Sequence, residues 1–170
     1  MGGIAVSGLG IPAAQASDLD LALSSELDES ELTEAVSSGE HYANLSQTGD
    51  DHYATVQQNG YGQTALIVQQ QAHNQVQLAQ LGVESFTQIQ QDGLNNIAAI
   101  VQQGSNQYIS VHQQGENNLA NISQTGDANH ASVDQQGYAN AAVIEQYGSG
   151  HHSVVIQIGD NNTVSVKQFN

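Results

Sequence analysis

An eleven-residue repeat runs through residues 41–170 without an insertion, and no other feature of the sequence constrains the fold as strongly. A fixed period sustained over a whole chain segment is typical of architectures in which each repeat stacks on its neighbours. We define the glutamine that recurs in every repeat as position 0 and number the other residues relative to it. This glutamine occurs twelve times: Gln47, Gln58, Gln69, Gln80, Gln91, Gln102, Gln113, Gln124, Gln135, Gln146, Gln157 and Gln168.

Four further positions of the repeat are restricted. Position −4 is usually small and most often alanine. Position −2 is aliphatic in all twelve repeats, which predicts a column of core residues: Leu45, Val56, Ile67, Leu78, Ile89, Ile100, Val111, Ile122, Val133, Ile144, Val155 and Val166. Position +2 is glycine in ten repeats, which predicts a turn: Gly49, Gly60, Gly82, Gly93, Gly104, Gly115, Gly126, Gly137, Gly148 and Gly159. Position −6 is asparagine or histidine in nine repeats: His41, His52, Asn74, Asn96, Asn118, Asn129, Asn140, His151 and Asn162.

The spacing of these positions decides between two structures that share an eleven-residue period. A right-handed coiled coil repeats every eleven residues. The restricted positions, however, lie two residues apart, which is the side-chain period of a β-strand. Glycine in nearly every repeat and β-branched residues at position −2 also oppose a long helix. We therefore reject the coiled coil and predict an all-β fold, with a strand over residues 41–47 and a turn over residues 48–51.

The alternation predicts that positions −6, −4, −2 and 0 face inward and that −5, −3 and −1 face outward. None of the acidic residues in 41–170 falls on an inward position, and neither does Lys167 or any aromatic residue. Two strand–turn units make one 22-residue rung, so twelve units predict a β-solenoid of six rungs, two parallel sheets and a height of about 29 Å. In this cross-β stack each buried glutamine can donate to the next one and accept from the previous one.

The residues before the repeat divide into two segments. Residues 3–11 are apolar and glycine-rich, and Ala14-Gln15-Ala16 has the small-x-small form of a signal-peptidase site, so we interpret residues 1–16 as the remnant of a signal peptide. A disordered apolar N-terminus is the alternative. Residues 17–40 contain eight of the seventeen acidic residues and no basic residue. Their loosely spaced leucines are compatible with a marginal amphipathic helix that covers one end of the repeats. Their acidic charge indicates a disordered, solvated tail, which is favoured because an isolated helix of this length and charge is weak.

Composition and charge exclude several classes of function. A net charge of −16 opposes binding to nucleic acid and to anionic membranes, because both partners require a basic surface. The absence of cysteine removes disulfides, zinc–thiolate sites and thiol catalysis. The repeats contain no clustered acid–base residues, and the seven histidines do not converge, so we predict no enzymatic activity, no metal site and no cofactor.

The first and last repeats, 41–47 and 162–168, keep the full pattern, so we expect an open sheet edge at each end of the stack. Open parallel edges favour the head-to-tail addition of identical molecules, which gives a filament that does not close. The sequence therefore predicts a self-assembling fibre subunit. The alternatives are a monomeric exported adhesin with one blocked edge, or an ice-binding solenoid. The latter would need a regular outward array of threonines, which the sequence lacks.

The repeats resemble a known family. Residues 118–135 are similar to the curlin repeat, Ser-x5-Gln-x4-Asn-x5-Gln, of bacterial curli subunits, with Asn118 in place of the first serine and with Gln124, Asn129 and Gln135 at the other three positions. The resemblance extends over residues 41–170. It implies a β-solenoid amyloid that passes through the periplasm, leaves the cell through an outer-membrane secretion pore and forms a cell-surface fibre (a curli-type pilus) in the biofilm matrix.

The same resemblance implies partners and a role for some turn residues. The expected partners are further copies of the chain, a nucleating or major curlin subunit, the secretion pore and accessory chaperones. Asp50, Asp127 and Asp160, just after the glycine, resemble the turn residues that moderate aggregation in such repeats. The Asp20-Leu-Ala sequence is similar to the minor, nucleating subunit, whereas the acidic balance is similar to the major subunit and favours it.

Overall fold

The computed structural model describes residues 4–8, 30–34 and 41–170, and all of the regular structure in these ranges is β-strand. No helix in them is long and apolar enough to cross a membrane. The strands are β1 (Ile4–Gly8), β2 (Ser30–Glu34), β3 (Tyr42–Asp50), β4 (Tyr53–Tyr61), β5 (Thr64–Ala72), β6 (Gln75–Val83), β7 (Phe86–Leu94), β8 (Ile97–Ser105), β9 (Tyr108–Glu116), β10 (Leu119–Asp127), β11 (His130–Tyr138), β12 (Ala141–Tyr147), β13 (His152–Ile158) and β14 (Thr163–Phe169).

Alternate strands of the repeat belong to two different sheets. Sheet A has the order β1-β4-β6-β8-β10-β12-β14, and sheet B has the order β13-β11-β9-β7-β5-β3-β2. All pairings among the repeat strands are parallel and join residues 22 positions apart, so that Ala120 lies between Ala98 and Ala142. The chain therefore completes one turn every two repeats. The predicted all-β solenoid of about six rungs with two parallel sheets is confirmed.

The strands extend further than the sequence predicts. Strands β3 to β11 are nine residues long and include position +2, which we assigned to the turn and which is glycine in all of them except β5, where it is Gln71. Between β3 and β4 only residues 51 and 52 connect the strands, so the predicted turn over 48–51 is wrong in its extent. The chain bends at two places instead, at the glycine and two residues later. In β8 and the turn after it, Gly104 has a φ of 127° and Asn106 a φ of 54°.

Glycine at position +2 follows from the close approach of successive turns. A Cβ atom on Gly104 would overlap the carbonyl oxygen of Gly126 in the next rung. The φ of Gly104 also lies in a region that residues with a side chain rarely adopt. Gln71, with a φ of 77°, is an exception at this position, and its side chain donates a hydrogen bond to Asp92 Oδ1 at 2.8 Å.

The N-terminal segments contribute one strand each. Strand β1 lies within the predicted signal-peptide remnant and pairs in parallel with β4. Strand β2 lies within the acidic segment and pairs antiparallel with β3, so the backbone of these five residues is extended rather than helical. The other residues of segments 1–16 and 17–40 lie outside the described residues. The division of the chain at residue 41 stays a prediction.

Candidate functional site

The position-0 glutamines form two hydrogen-bonded columns inside the solenoid. In each column the Nε2 of one glutamine donates to the Oε1 of the glutamine one rung later, at distances of 2.6–3.3 Å. A further N–H reaches a backbone carbonyl oxygen, as from Gln102 to Phe86. All of these glutamines are buried except Gln168, which is half-buried in the last strand. The columns thus supply the hydrogen bonds without which burial of an amide is costly.

Both glutamine columns have the same polarity. The donor Nε2 faces the C-terminal end of the solenoid in the first pair, Gln47 to Gln69, and again in the last pair, Gln146 to Gln168. Gln157 and Gln168 are the last glutamines of the two columns within the described residues. The last rung of this part of the chain therefore directs side-chain N–H donors toward the C-terminal end of the stack.

The inward side chains at position −6 hold the turns together. Asn74 Nδ2 donates to the Gln70 carbonyl oxygen in the preceding turn at 2.7 Å and to the Gly93 carbonyl oxygen in the next rung at 2.9 Å. These bonds tie together the backbone beside the bend at position +2 in two successive rungs. The same pair of contacts recurs at other amides in this position: Gln63, Gln107, Asn118, Asn129 and Asn140.

Asparagines at position −6 of sheet A form a second ladder that runs in the opposite direction. The Nδ2 and the backbone N–H of Asn96 both donate to Asn74 Oδ1, at 3.2 and 2.9 Å. Asn118 and Asn162 make the same two contacts with the asparagine one rung earlier. The asparagine oxygens therefore face the C-terminal end, where the glutamine columns present N–H groups.

Histidine occupies position −6 in the first rung, at His41 and His52, and in the last rung, at His151. The Nε2 atoms of His52 and His151 lie 3.0 Å from the carbonyl oxygen four residues earlier, which is the contact that the amides make elsewhere. The pKa of His41 is lowered because burial penalises its charged form, although its contact with the Gly60 backbone opposes this shift. These histidines act as turn contacts like the amides that they replace.

The aliphatic and small positions fill the space between the sheets. The position −2 residues from Leu45 to Val155 are at most 4% exposed, and Val166 is partly buried in the last strand. Position −4 faces the glutamine column of the opposite sheet. Thr87 Oγ1 lies 3.2 Å from Gln80 Nε2 and 2.7 Å from Gln102 Oε1. A small residue at position −4 therefore leaves room for the glutamine side chains of the other sheet.

The outward-facing histidines do not form a metal site. His112 Nδ1 lies 3.1 Å from Asp134 Oδ1. The rings of His130 and His152 lie 4.5 Å apart, and the pKa of His130 is lowered by partial burial and, to a smaller extent, by the charge of His152. Among the described residues, no group of three or more histidines and carboxylates is placed to hold a metal ion.

The two ends of the solenoid differ. At the C-terminal end, β13 and β14 are each paired on one side only within the described residues. At the N-terminal end, β2 covers the backbone of residues 43–47 and β1 covers that of residues 54–58. The prediction of two open edges is therefore wrong for the N-terminal end. Residues before the repeat supply one additional strand to each sheet there.

Four overlapping stretches in the C-terminal half match a family model, the curlin associated repeat: residues 108–137, 115–147, 126–159 and 139–169. Residues 108–169 carry curlin repeats. The resemblance that we inferred from residues 118–135 is confirmed across residues 108–169. Curlin repeats are structural rather than catalytic. Comparisons with curated proteins and with solved structures found no match.

The conformational restriction at position +4 was not predicted from the sequence. Position +4 has a positive φ in each of the turns that connect the repeats, whether the residue is Asn95, Ala128 or Gly150. Asparagine tolerates this conformation better than other residues with side chains. Its recurrence at residues 95, 106, 117 and 161 was the available signal. Ala128 and Ala139 hid that signal, because alanine has no such preference.

Proposed function

We propose that the protein is the structural subunit of an extracellular, curli-type functional amyloid fibre. It would grow by head-to-tail stacking of strands and support biofilm matrix, adhesion and aggregation. The observation that carries this proposal is the C-terminal end of the stack, where strands β13 and β14 each have one paired side within the described residues. Unpaired strand edges of this kind accept further strands. The curlin repeats support the same function.

The 22-residue step defines how a second copy would join. Its β3 would lie on β13 and its β4 on β14, one rung further along the axis. Gln157 Nε2 and Gln168 Nε2 would then donate to Gln47 and Gln58 of that copy, continuing both columns with unchanged polarity. A head-to-head contact would instead place donors against donors. Assembly is therefore directional, and the repeated step produces a filament rather than a closed ring.

This addition requires the N-terminal strands of the incoming copy to leave their partners. Strands β1 and β2 each pair over five residues. The last repeat strands pair over seven residues with their neighbours, as β12 does with β14. A junction would thus replace two shorter pairings by two longer ones that also continue the glutamine columns. This exchange favours the filament at equilibrium. The release of β1 and β2 slows the first additions.

The covered N-terminal edge also favours a second candidate function, a monomeric exported β-solenoid adhesin. In that protein β1 and β2 would stay in place and block assembly. In the first candidate the chain acts with a nucleating or major curlin subunit, a secretion pore and accessory chaperones, and it is secreted to the cell surface through the periplasm. These partners and this location follow from the curlin resemblance and belong to the proposal.

Purified full-length chain, incubated at micromolar concentration, distinguishes the two candidates. We expect thioflavin-positive fibres whose diffraction shows the spacing of about 4.8 Å between strands along the axis. Leu32→Pro, which removes a backbone donor from β2, should shorten the lag, whereas Leu32→Val should keep the original lag. A chain that stays monomeric for days, with or without the proline, would refute the fibre function and support the adhesin.

A further inference from the structure

The outer face of sheet A carries no net charge, although the chain carries −16. This face is formed by positions −5, −3 and −1 of β4, β6, β8, β10, β12 and β14. It contains one acid, Glu145, and one base, Lys167, which is the only lysine or arginine in the chain. Lys167 Nζ lies 2.8 Å from Glu145 Oε2. Apart from Asp134 on sheet B, the other acids of residues 41–170 lie in or beside the turns.

The centre of the same face is apolar, with exposed aliphatic side chains next to a shallow depression. Ile97, Leu119 and Val101 are 39%, 38% and 45% exposed. A shallow hollow lies beside them, where Ala79 and Ala99 leave the surface low. Large contiguous apolar patches are uncommon on the surfaces of monomeric proteins and often mark interaction sites.

The outer face of sheet B lacks this charge balance. Its acid, Asp134, is 3.1 Å from His112, and histidine is not a permanent cation at neutral pH. The two faces therefore differ in how easily they can be removed from water. An uncompensated carboxylate opposes burial, whereas a paired carboxylate and ammonium can be covered at lower cost.

We propose that the outer face of sheet A is a lateral interface that packs against the same face of a second copy in a neighbouring filament. This inference rests on the proposed fibre function. Chains with a charge of −16 repel each other, and a face whose charges cancel offers the contact with the least repulsion. The partner is thus a second face without net charge, and an interface between identical faces is two-fold symmetric.

A two-fold axis along the filament fixes which columns meet. Position −3 of one copy faces position −3 of the other, and position −5 faces position −1. At equal height along the axis, Ile97 of one copy then lies against Val101 of the other copy, and Leu119 lies against Ser123. The two filaments grow in the same direction, and their facing sheets are about 10 Å apart.

The area of the face is adequate for such an interface. Seven residues per strand and six rungs give about 23 Å by 29 Å, or roughly 670 Å² on each copy. Standard protein interfaces bury about 800 Å² on each partner. Because the contact recurs at every subunit along the filament, the lateral association strengthens with filament length.

Mass per length of unstained fibres, measured by scanning transmission electron microscopy, tests this inference. One copy of 17.9 kDa over about 29 Å gives about 0.6 kDa per Å for a single filament and about 1.2 kDa per Å for a pair. We expect the paired value for the original chain. Val101→Glu and Val101→Lys should both give the single value, because either charge would be buried at the interface.

The matched controls are Gln90→Glu and Gln90→Lys, which place the same charges at position −1 of sheet B, at a residue that is also exposed. They should keep the paired value. A single value for the original chain, or a paired value for the Val101 variants, would overturn the inference while leaving the fibre function intact. If Val101→Glu gives the single value but Val101→Lys keeps the paired value, the effect is due to net charge, and the inference is also overturned. Absence of fibres in the original chain would refute the fibre function and the inference with it.

Discussion

The substitution Gly104→Ala tests the close approach between successive rungs. The φ of Gly104 is 127°, a conformation that costs a residue with a side chain about 1–3 kcal/mol. A Cβ atom there would also overlap the Gly126 carbonyl oxygen, which accepts a hydrogen bond from Gln107 Nε2 at 2.7 Å and cannot move freely. Displacing packed backbone adds about 1–3 kcal/mol. We therefore expect the free energy of unfolding to fall by about 4 kcal/mol.

Gly150→Ala is the matched control. Gly150 also has a positive φ, 72°, but a Cβ atom on it would meet nothing within 4 Å. This substitution should lower the free energy of unfolding by only about 1–2 kcal/mol, which is the cost of the positive φ for alanine. Urea unfolding of freshly prepared, dilute full-length chain, followed by circular dichroism, gives both values. Equal losses in the two variants would show that the contact between rungs does not require glycine at position +2, and the reasoning would fail.

Three further predictions follow from the columns and the turns. Gln168→Ala should slow seeded fibre growth more than Gln102→Ala does, because of these two residues only Gln168 lies at the growing end. Gln102→Ala should instead destabilise the monomer more. Equal elongation rates for the two variants would show that the end glutamine has no special role in growth. Gln71→Gly should raise the free energy of unfolding by about 1 kcal/mol in urea titrations, because the φ of 77° suits glycine and the lost side-chain bond is exposed; a loss of stability would contradict this. The pKa of His41 is lowered in the folded chain, so the unfolded chain binds a proton more readily and stability should fall as the pH drops below about 6.5. His41→Asn should reduce that loss, and an unchanged pH profile of the melting temperature would show that His41 does not contribute to it.

The period of two within a period of eleven was sufficient to predict the fold. It gave the strands, the inward positions, the two sheets and the rung of 22 residues, because burial on one face fixes both the alternation and the register. The burial of the glutamines could also be predicted from their position, since an unpaired amide in that place would be costly.

The sequence did not predict the turn geometry or the covered end. Glycine at position +2 indicated a turn, but the bend there is part of the strand, and a second bend two residues later depends on a conformation that both Asn95 and Ala128 adopt. Ser30–Glu34 contains one apolar residue, Leu32, so it shows no alternation that would indicate a strand. Its pairing depends on the edge that β3 offers rather than on a pattern of its own.

The opposed directions of the glutamine and asparagine ladders have a consequence for fidelity. The C-terminal end presents side-chain N–H donors at Gln157 and Gln168 and a side-chain oxygen acceptor at Asn162. An incoming strand must therefore supply acceptors at two positions and a donor at a third. A foreign amyloid strand that supplies only acceptors, or that arrives one residue out of step, leaves some of these groups unbonded. Such mismatches are penalised at every attempted addition, so the fibre that we propose would select copies of its own chain over unrelated ones.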